Sequence, residues 1–227
     1  MKESPIIFST PMVQVILEGR KTQTRRILSF HINNGLSFKQ MENNHAVFSD
    51  NFFESFPGYD SGEYDKKIKC QFGKPGDLMW VREAFAKVCI ENYPHPEFIY
   101  RASEGEVIDV DGNILKWKPS IFMPKEASRI WLQIENIRAE QVQHITEEDA
   151  KAEGIRYNDG TLDNTLSGYV GFNNLKNIDM LFDTAKESFQ SLWYKIHSQK
   201  AWDHNPWVWV ISFKVLSTTG KPQNLSA

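Results

Sequence analysis

Residues 19–26 read GRKTQTRR, which puts Arg20, Lys21, Arg25 and Arg26 within eight positions and two threonines between them. The run offers an amine, hydroxyls and guanidinium groups. An amine that is neutral can take a proton from a hydroxyl and make it a nucleophile. A free lysine has a pKa of about 10.4, so Lys21 needs burial or neighbouring cations to serve as a base. Arg20, Arg25 and Arg26 are such neighbours. They are equally suited to hold phosphate. The alternative is a solvated basic edge with no chemistry at all.

The totals narrow the choice. The chain has 227 residues and a formal net charge of −3, so a protein that coats nucleic acid is excluded and any such contact must come from a local patch. The best basic-aromatic segment is KWKPSIFMPKEASR, where Trp117 lies between Lys116 and Lys118, with Lys125 and Arg129 further on. Stacking of unpaired bases on Trp117 and phosphate contacts to Lys118 would suit RNA. A core tryptophan with solvated lysines fits the segment as well. Arg82, in WVRE, shares a strand face with Trp80 and would line a site mouth or pair with a carboxylate. The histidines show no metal-ligand spacing, and the two cysteines, Cys70 and Cys89, form no metal motif. No metal or cofactor is expected. No apolar run is long enough for a signal h-region or a membrane span, so a cytoplasmic location is expected.

The elements that must position these residues follow from periodicity and punctuation. PIIFS (5–9) reads as a strand. Thr10 and Pro11 open a helix with Met12, Val15 and Ile16 at helical spacing, and Gly19 stops it. GRKTQTRRIL therefore leaves a helix and enters a strand. In a regular strand Lys21 and Thr24 would face opposite ways, so a shared site requires an irregular backbone between them. DLMWVREAF, FIYRAS (98–103), SRIWLQIENIRAEQV (128–142) and NPWVWVISFKVL (205–216) read as strands, and VDGNI (110–114) as a hairpin turn. Thr146 with Asp149 and Thr184 with Glu187 open two helices, the first ended by Gly154, the second with Phe189, Leu192, Trp193 and Ile196 on one face. Residues 30–72 and 155–182 lack a sustained period and read as insertions, the first with a Phe52, Phe53 and Phe56 cluster. One domain spans 1–216, with a polar tail over 217–227. The expected class is α+β, built on a mixed or antiparallel β-barrel with flanking helices.

Four blocks carry a resemblance. PMVQVILEGRKTQTRRI, GDLMWVRE, ITEEDAKAEGI and NPWVWVISF, in that order, resemble the ASCH domain family, and more closely its phage and prophage branch. The matching blocks cover residues 6–28, 73–86, 98–154 and 184–214. The resemblance implies a PUA-like barrel with a cleft for RNA or a modified nucleoside. One bacterial branch of the family hydrolyses N4-acetylcytidine with a lysine and a threonine in its GRKTxT segment and a glutamate at the end of its T-E-x-x-A-x-x-E helix. Lys21, Thr24 and Glu153 match these by type. They become the candidate catalytic residues of an amidohydrolase, and Arg20, Arg25, Arg26, Arg82, Trp117 and Lys118 the candidate binding residues. The enzymes of that branch are about half as long and lack both insertions. A nonenzymatic, phage-type interaction protein that binds RNA or a host protein is the competing expectation. Glu153 sits where the helix dipole disfavours a carboxylate, which points to a role for it.

Overall fold

A computed structural model describes residues 1–28, 36–50, 65–88, 97–108, 112–160, 167–171 and 181–223. The Phe52, Phe53 and Phe56 cluster and Cys89 lie outside the described residues. In chain order the elements are β1 (Glu3–Ile7), α1 (Thr10–Leu17), β2 (Gln23–Ile27), β3 (Leu36–Glu42), β4 (His45–Asp50), β5 (Asp65–Lys69), β6 (Leu78–Arg82), β7 (Phe85–Val88), β8 (Glu97–Tyr100) and α2 (Arg101–Glu104). They continue with β9 (Trp131–Gln141), α3 (Glu147–Ala152), β10 (Arg156–Asn158), β11 (Gly168–Val170), β12 (Leu181–Phe182), α4 (Ala185–His197), α5 (Gln199–Asp203) and β13 (Trp207–Ser217). Among the described residues no helix is long and apolar enough to cross a membrane.

The class is α+β and strand-rich, organised on a five-stranded sheet in the order β1-β6-β9-β13-β2. β1 runs parallel to β6, and the other pairs are antiparallel. The sheet is mixed and open, not closed into the expected barrel: β1 and β2 are its two edges among the described residues. Pro5 sits in β1, where an edge strand tolerates a residue without an N–H.

Both faces of this sheet are covered. Alternation along β13 sends Trp209, Ile211 and Phe213 to one core, with Ile6, Phe8, Val81 and Leu132. It sends Val208 and Val210 to a second core, with Phe189, Leu192, Trp193 and Trp202. The helices α3, α4 and α5 cover the second face. The first face is covered by what the sequence left as an insertion: β3, β4 and β5 form a three-stranded sheet whose Phe48 packs edge-on to Trp207 at 5.2 Å. The second insertion holds another three-stranded sheet, β10-β11-β12, tied to α4 by the Ser188 hydroxyl donating to the Val170 carbonyl at 2.9 Å. Residues 98–103 are corrected: the strand stops at Tyr100, and Arg101–Glu104 form a helical turn. The hairpin turn expected at 110–114 lies partly outside the described residues, and an Ile108–Ile114 bridge joins the described residues on either side of 109–111.

The caps behave as their residues require. Thr184 and Glu187 form a complete capping box on α4, and the Thr146 hydroxyl accepts from the Asp149 N–H. Glu147 adds a carboxylate at the start of α4, accepting from the Ala185 and Lys186 N–H groups at 2.9 and 3.1 Å. Ile196 departs from the expected apolar face and is 49% exposed, one turn beyond the buried Leu192 and Trp193.

Gly154 ends α3 at φ +99°, and a Cβ there would meet Val15 Cγ2 at 2.9 Å and Lys21 Cβ at 3.3 Å. Gly154→Ala combines a left-handed backbone penalty with overpacking, for an expected loss of about 2–4 kcal/mol. Chemical denaturation of the variant should show a lower midpoint at unchanged slope.

Candidate functional site

The exit of α1 sets the site. Gly19 adopts φ +73°, its N–H bonds the Ile16 carbonyl at 3.0 Å, and the Arg20 N–H bonds the Val15 carbonyl at 3.0 Å. This paired closure turns the chain back on the helix. Residues 20–22 then run past the C-terminus of α3 before β2 begins. Their donors take three successive carbonyls: Thr22 N–H to Ala152 at 2.9 Å, Lys21 Nζ to Glu153 at 2.9 Å, and Arg20 Nη1 to Gly154 at 2.7 Å. The exposed C-terminal carbonyls of a helix end are thereby satisfied, two of them by cations.

Lys21 also meets the Glu153 carboxylate, with Nζ to Oε2 at 2.6 Å. Both side chains are buried, at 0% and 3% exposure. Burial pushes the Lys21 pKa down; Glu153 pulls it back up, and Arg26 and Arg25 add repulsion that lowers it. The net direction is downward, as a general base requires.

Thr24 is buried and lies on β2 opposite Ile211. The register puts Thr24 and Arg26 on the face shared with Ile211 and Trp209, and Gln23 and Arg25 on the face shared with Ser212 and Val210. Lys21 precedes the strand, so alternation does not bind it. Its Nζ lies 5.8 Å from the Phe8 ring, and the Arg26 guanidinium carbon lies 5.0 Å from the same ring. Lys21 thus reaches the side of the sheet that Thr24 occupies. Thr24 and Glu153 both line a small cavity of about 40 Å³, walled by Phe189, Trp193 and His197 of α4. Among the described residues no hydrogen bond joins the Thr24 hydroxyl to Lys21 or Glu153.

Arg25 is committed to the protein itself. Its guanidinium contacts Glu140 at 2.5 Å, Asp149 at 2.9 Å and Glu153 at 3.2 Å, with its side chain 1% exposed. Arg138 joins the same carboxylates, at 3.0 Å to Glu140 and 2.7 Å to Asp149, and Gln23 donates to Asp149 at 3.0 Å. This network fastens α3 to the middle of the sheet. Arg20 pairs with the exposed Glu18 as well as with Gly154.

Arg26 differs from Arg25. Its Nη2 donates to the Ile7 carbonyl at 2.6 Å, and no carboxylate lies within ion-pair distance among the described residues; the buried Nε of each arginine has no partner. Arg82 donates to the Met123 carbonyl at 3.1 Å and to the Ile121 carbonyl, and lies 5.6 Å from the Trp80 ring. The adjacent Glu83 is the paired carboxylate: Arg129 meets its two oxygens at 2.9 and 3.0 Å, while burial raises the Glu83 pKa against that partner. Trp117 and Lys118 sit elsewhere, where Lys118 exchanges backbone bonds with Phe85. The Lys118 side chain is exposed and Trp117 is half-buried, and among the described residues neither bonds to Lys21, Thr24 or Glu153.

Sequence reasoning missed Glu140, Asp149 as an ion-pair partner, Arg138 and His197. Two signals were present. Asp149 and Glu153 are one helical turn apart and so share a face, and Arg138 and Glu140 are two apart on a strand. His197 carried no signal. It packs on Trp193 at 4.4 Å between ring centres, and its pKa is lowered by burial and then by Arg26, which favours the neutral ring. No protein-family model, no curated protein and no solved structure matches this chain.

Two outcomes follow from the charges. Arg25→Ala removes the cation shared by three carboxylates around a buried position, and a loss of about 3–5 kcal/mol is expected, whereas Arg20→Ala at the exposed Glu18 pair should cost about 1 kcal/mol or less. Urea titration of the two variants checks the contrast. Lys21 titrates lower in the folded chain than in the unfolded one. Between those two values the unfolded chain binds the extra proton, so stability rises with pH there. The stability difference between wild type and Lys21→Met should therefore move in favour of wild type as pH is raised through the alkaline range towards about 10.4, the unfolded lysine value.

Proposed function

We propose that the chain is an ASCH-type domain that recognises a modified nucleoside and hydrolyses the exocyclic amide of an N4-acylated cytidine. The observation that carries this is the buried Lys21–Glu153 contact at 2.6 Å, made by the two ionisable members of the trio from positions 132 residues apart. In this reading Thr24 Oγ attacks the acyl carbonyl and its proton passes to neutral Lys21 Nζ. Glu153 holds the ammonium so formed. The ammonium protonates the departing N4 amine, releasing cytidine. A water, deprotonated by Lys21, then splits the acyl-threonine to give acetate and the free hydroxyl. Arg25 contacts the second oxygen of Glu153 at 3.2 Å, which keeps that carboxylate oriented. The open sheet is read, in the same proposal, as a PUA-like barrel parted between β1 and β2.

One observation favours a second reading. The cavity beside Thr24 is about 40 Å³, far below the several hundred that ligand sites occupy. The α4 residues Leu192, Trp193, Ile196 and His197 close it. Hydrolysis requires the end of α4 to yield. If it does not, the trio is a structural brace in a nonenzymatic, phage-type module that grips RNA or a host protein.

The readings separate on turnover. Incubating the protein with N4-acetylcytidine should release cytidine and acetate, followed by chromatography. Thr24→Val keeps the shape and removes the hydroxyl, and should cut the rate at least 100-fold, as should Lys21→Met. Glu153→Gln should cost less in rate and displace the pH profile. Wild-type release no faster than buffer, or a Thr24→Val variant as fast as wild type, overturns the hydrolase.

A further inference from the structure

A second cavity lies at the other side of Arg26, in the seam where the sheet is open. It measures about 560 Å³ and lies between β1 and the end of β2, with Gln71, Phe72 and Arg82 completing the wall. That is within the range of small-ligand sites. The question is what its chemistry selects.

Three cations face the seam, Lys2, Arg26 and Arg82, against one carboxylate, Glu3. Glu3 is already taken by Lys125 and by Lys221, the latter at 2.9 Å. The cations are held by backbone carbonyls instead: Lys2 Nζ by Gln71, Arg26 by Ile7, Arg82 by Met123 and Ile121. Among the described residues, neither Arg26 nor Arg82 has a carboxylate within ion-pair distance. The contrast with Arg25, one residue away and carrying three carboxylates, shows that the fold can neutralise an arginine and here does not. Carbonyls fix the guanidinium groups without cancelling their charge.

Two residues of its wall, Ser4 and Arg26, carry buried polar atoms without partners, Oγ and Nε. Buried polar groups are nearly always paired, so an orphaned pair beside a cavity points to an acceptor supplied from outside. An anion with several oxygens answers both. On the remaining wall the Gln71 amide offers a donor and an acceptor at the surface.

We infer that the seam between β1 and β2 is a nucleotide site, in which Arg26, Arg82 and Ser4 hold a phosphomonoester. The base assignment rests on the nucleoside reading of the neighbouring trio, while the phosphate assignment rests on the seam alone. The phosphomonoester can belong to a free nucleotide or to the end of an RNA strand.

Calorimetric titration of the full chain with cytidine, cytidine 5′-monophosphate, inorganic phosphate, and a short oligoribonucleotide with and without a terminal phosphate tests this. The monophosphate should bind at least tenfold more tightly than cytidine, with affinity that falls as salt is added. Tighter binding of the phosphorylated oligonucleotide than of the monophosphate identifies RNA ends as the source; the reverse order identifies free nucleotides. Arg26→Gln and Ser4→Val should each remove the tenfold preference, and Ser4→Val keeps the test alive should the buried Arg26 variant not fold. Equal affinity for cytidine and its monophosphate, inorganic phosphate bound as tightly as the monophosphate, or a folded Ser4→Val with an intact preference overturns the site. Lys21→Met separates this from the hydrolase: it should abolish turnover and leave the phosphate preference in place. A phosphate preference without any turnover retains the seam and discards the hydrolase, and turnover without that preference does the opposite.

Discussion

The C-terminus of α3 cannot end where it does without the side chain of Lys21. Three carbonyls there point at a chain segment, not at water, and the segment answers with Thr22 N–H, Lys21 Nζ and Arg20 Nη1. The carboxylate of Glu153 then makes that end more negative still, which an isolated helix would resist. Lys21 answers both demands with one Nζ, held by the carbonyl and the carboxylate of the same residue. Everything near the site inherits this constraint. Gly154 must be a glycine because Val15 and Lys21 close over it. β2 must start after residue 22 because residues 20–22 are spent on the helix. Thr24 and Arg26 face the Phe8 side because the strand starts there.

Such a pair is costly to bury and is weak support for stability by itself. The fold offsets the cost by surrounding Glu153 with a second cation, Arg25, and by sharing Arg25 with Glu140 and Asp149. Two sheet strands, β2 and β9, meet α3 in this network. A buried amine with its pKa lowered, held by a carboxylate that is itself held in place, is a preorganised proton acceptor. The same arrangement also serves a brace, and the network cannot be dismantled without exposing the difference in turnover.

Much of the frame was legible. The two-residue signals, Thr184 with Glu187 and Gly19 after Ile16, are local, and local rules fixed those ends correctly. The strands at 131–141 and 207–217 carry long apolar runs and pair with each other from end to end across two register shifts. The trio was reached through a resemblance of blocks, and its Lys21–Glu153 half is joined in space. Three things were not legible. Openness of the sheet depends on which edges pair, and no residue in β1 or β2 announces that beyond Pro5. The sheet β3-β4-β5 is built from short strands, and the buried residues of β4 run consecutively from Ala46 to Ser49, with no alternation to read against a polar background. Arg25 and Arg26 are identical in sequence terms, and only the register of β2 on β13 separates them.

That register is what turns one basic run into two environments. Arg25 shares the side chain direction of Val210 and meets the carboxylates of α3 and β9; Arg26 shares that of Trp209 and meets the open seam. A slip of one residue would exchange the faces that the two arginines occupy. β2 is an edge strand paired only with β13, so its register is held from one side by that ladder and from the other by the donors of residues 20–22 on α3. The helix-end contact of Lys21 therefore does more than assemble a candidate site. It fixes which arginine braces the fold through three carboxylates and which is left without a carboxylate in ion-pair contact among the described residues.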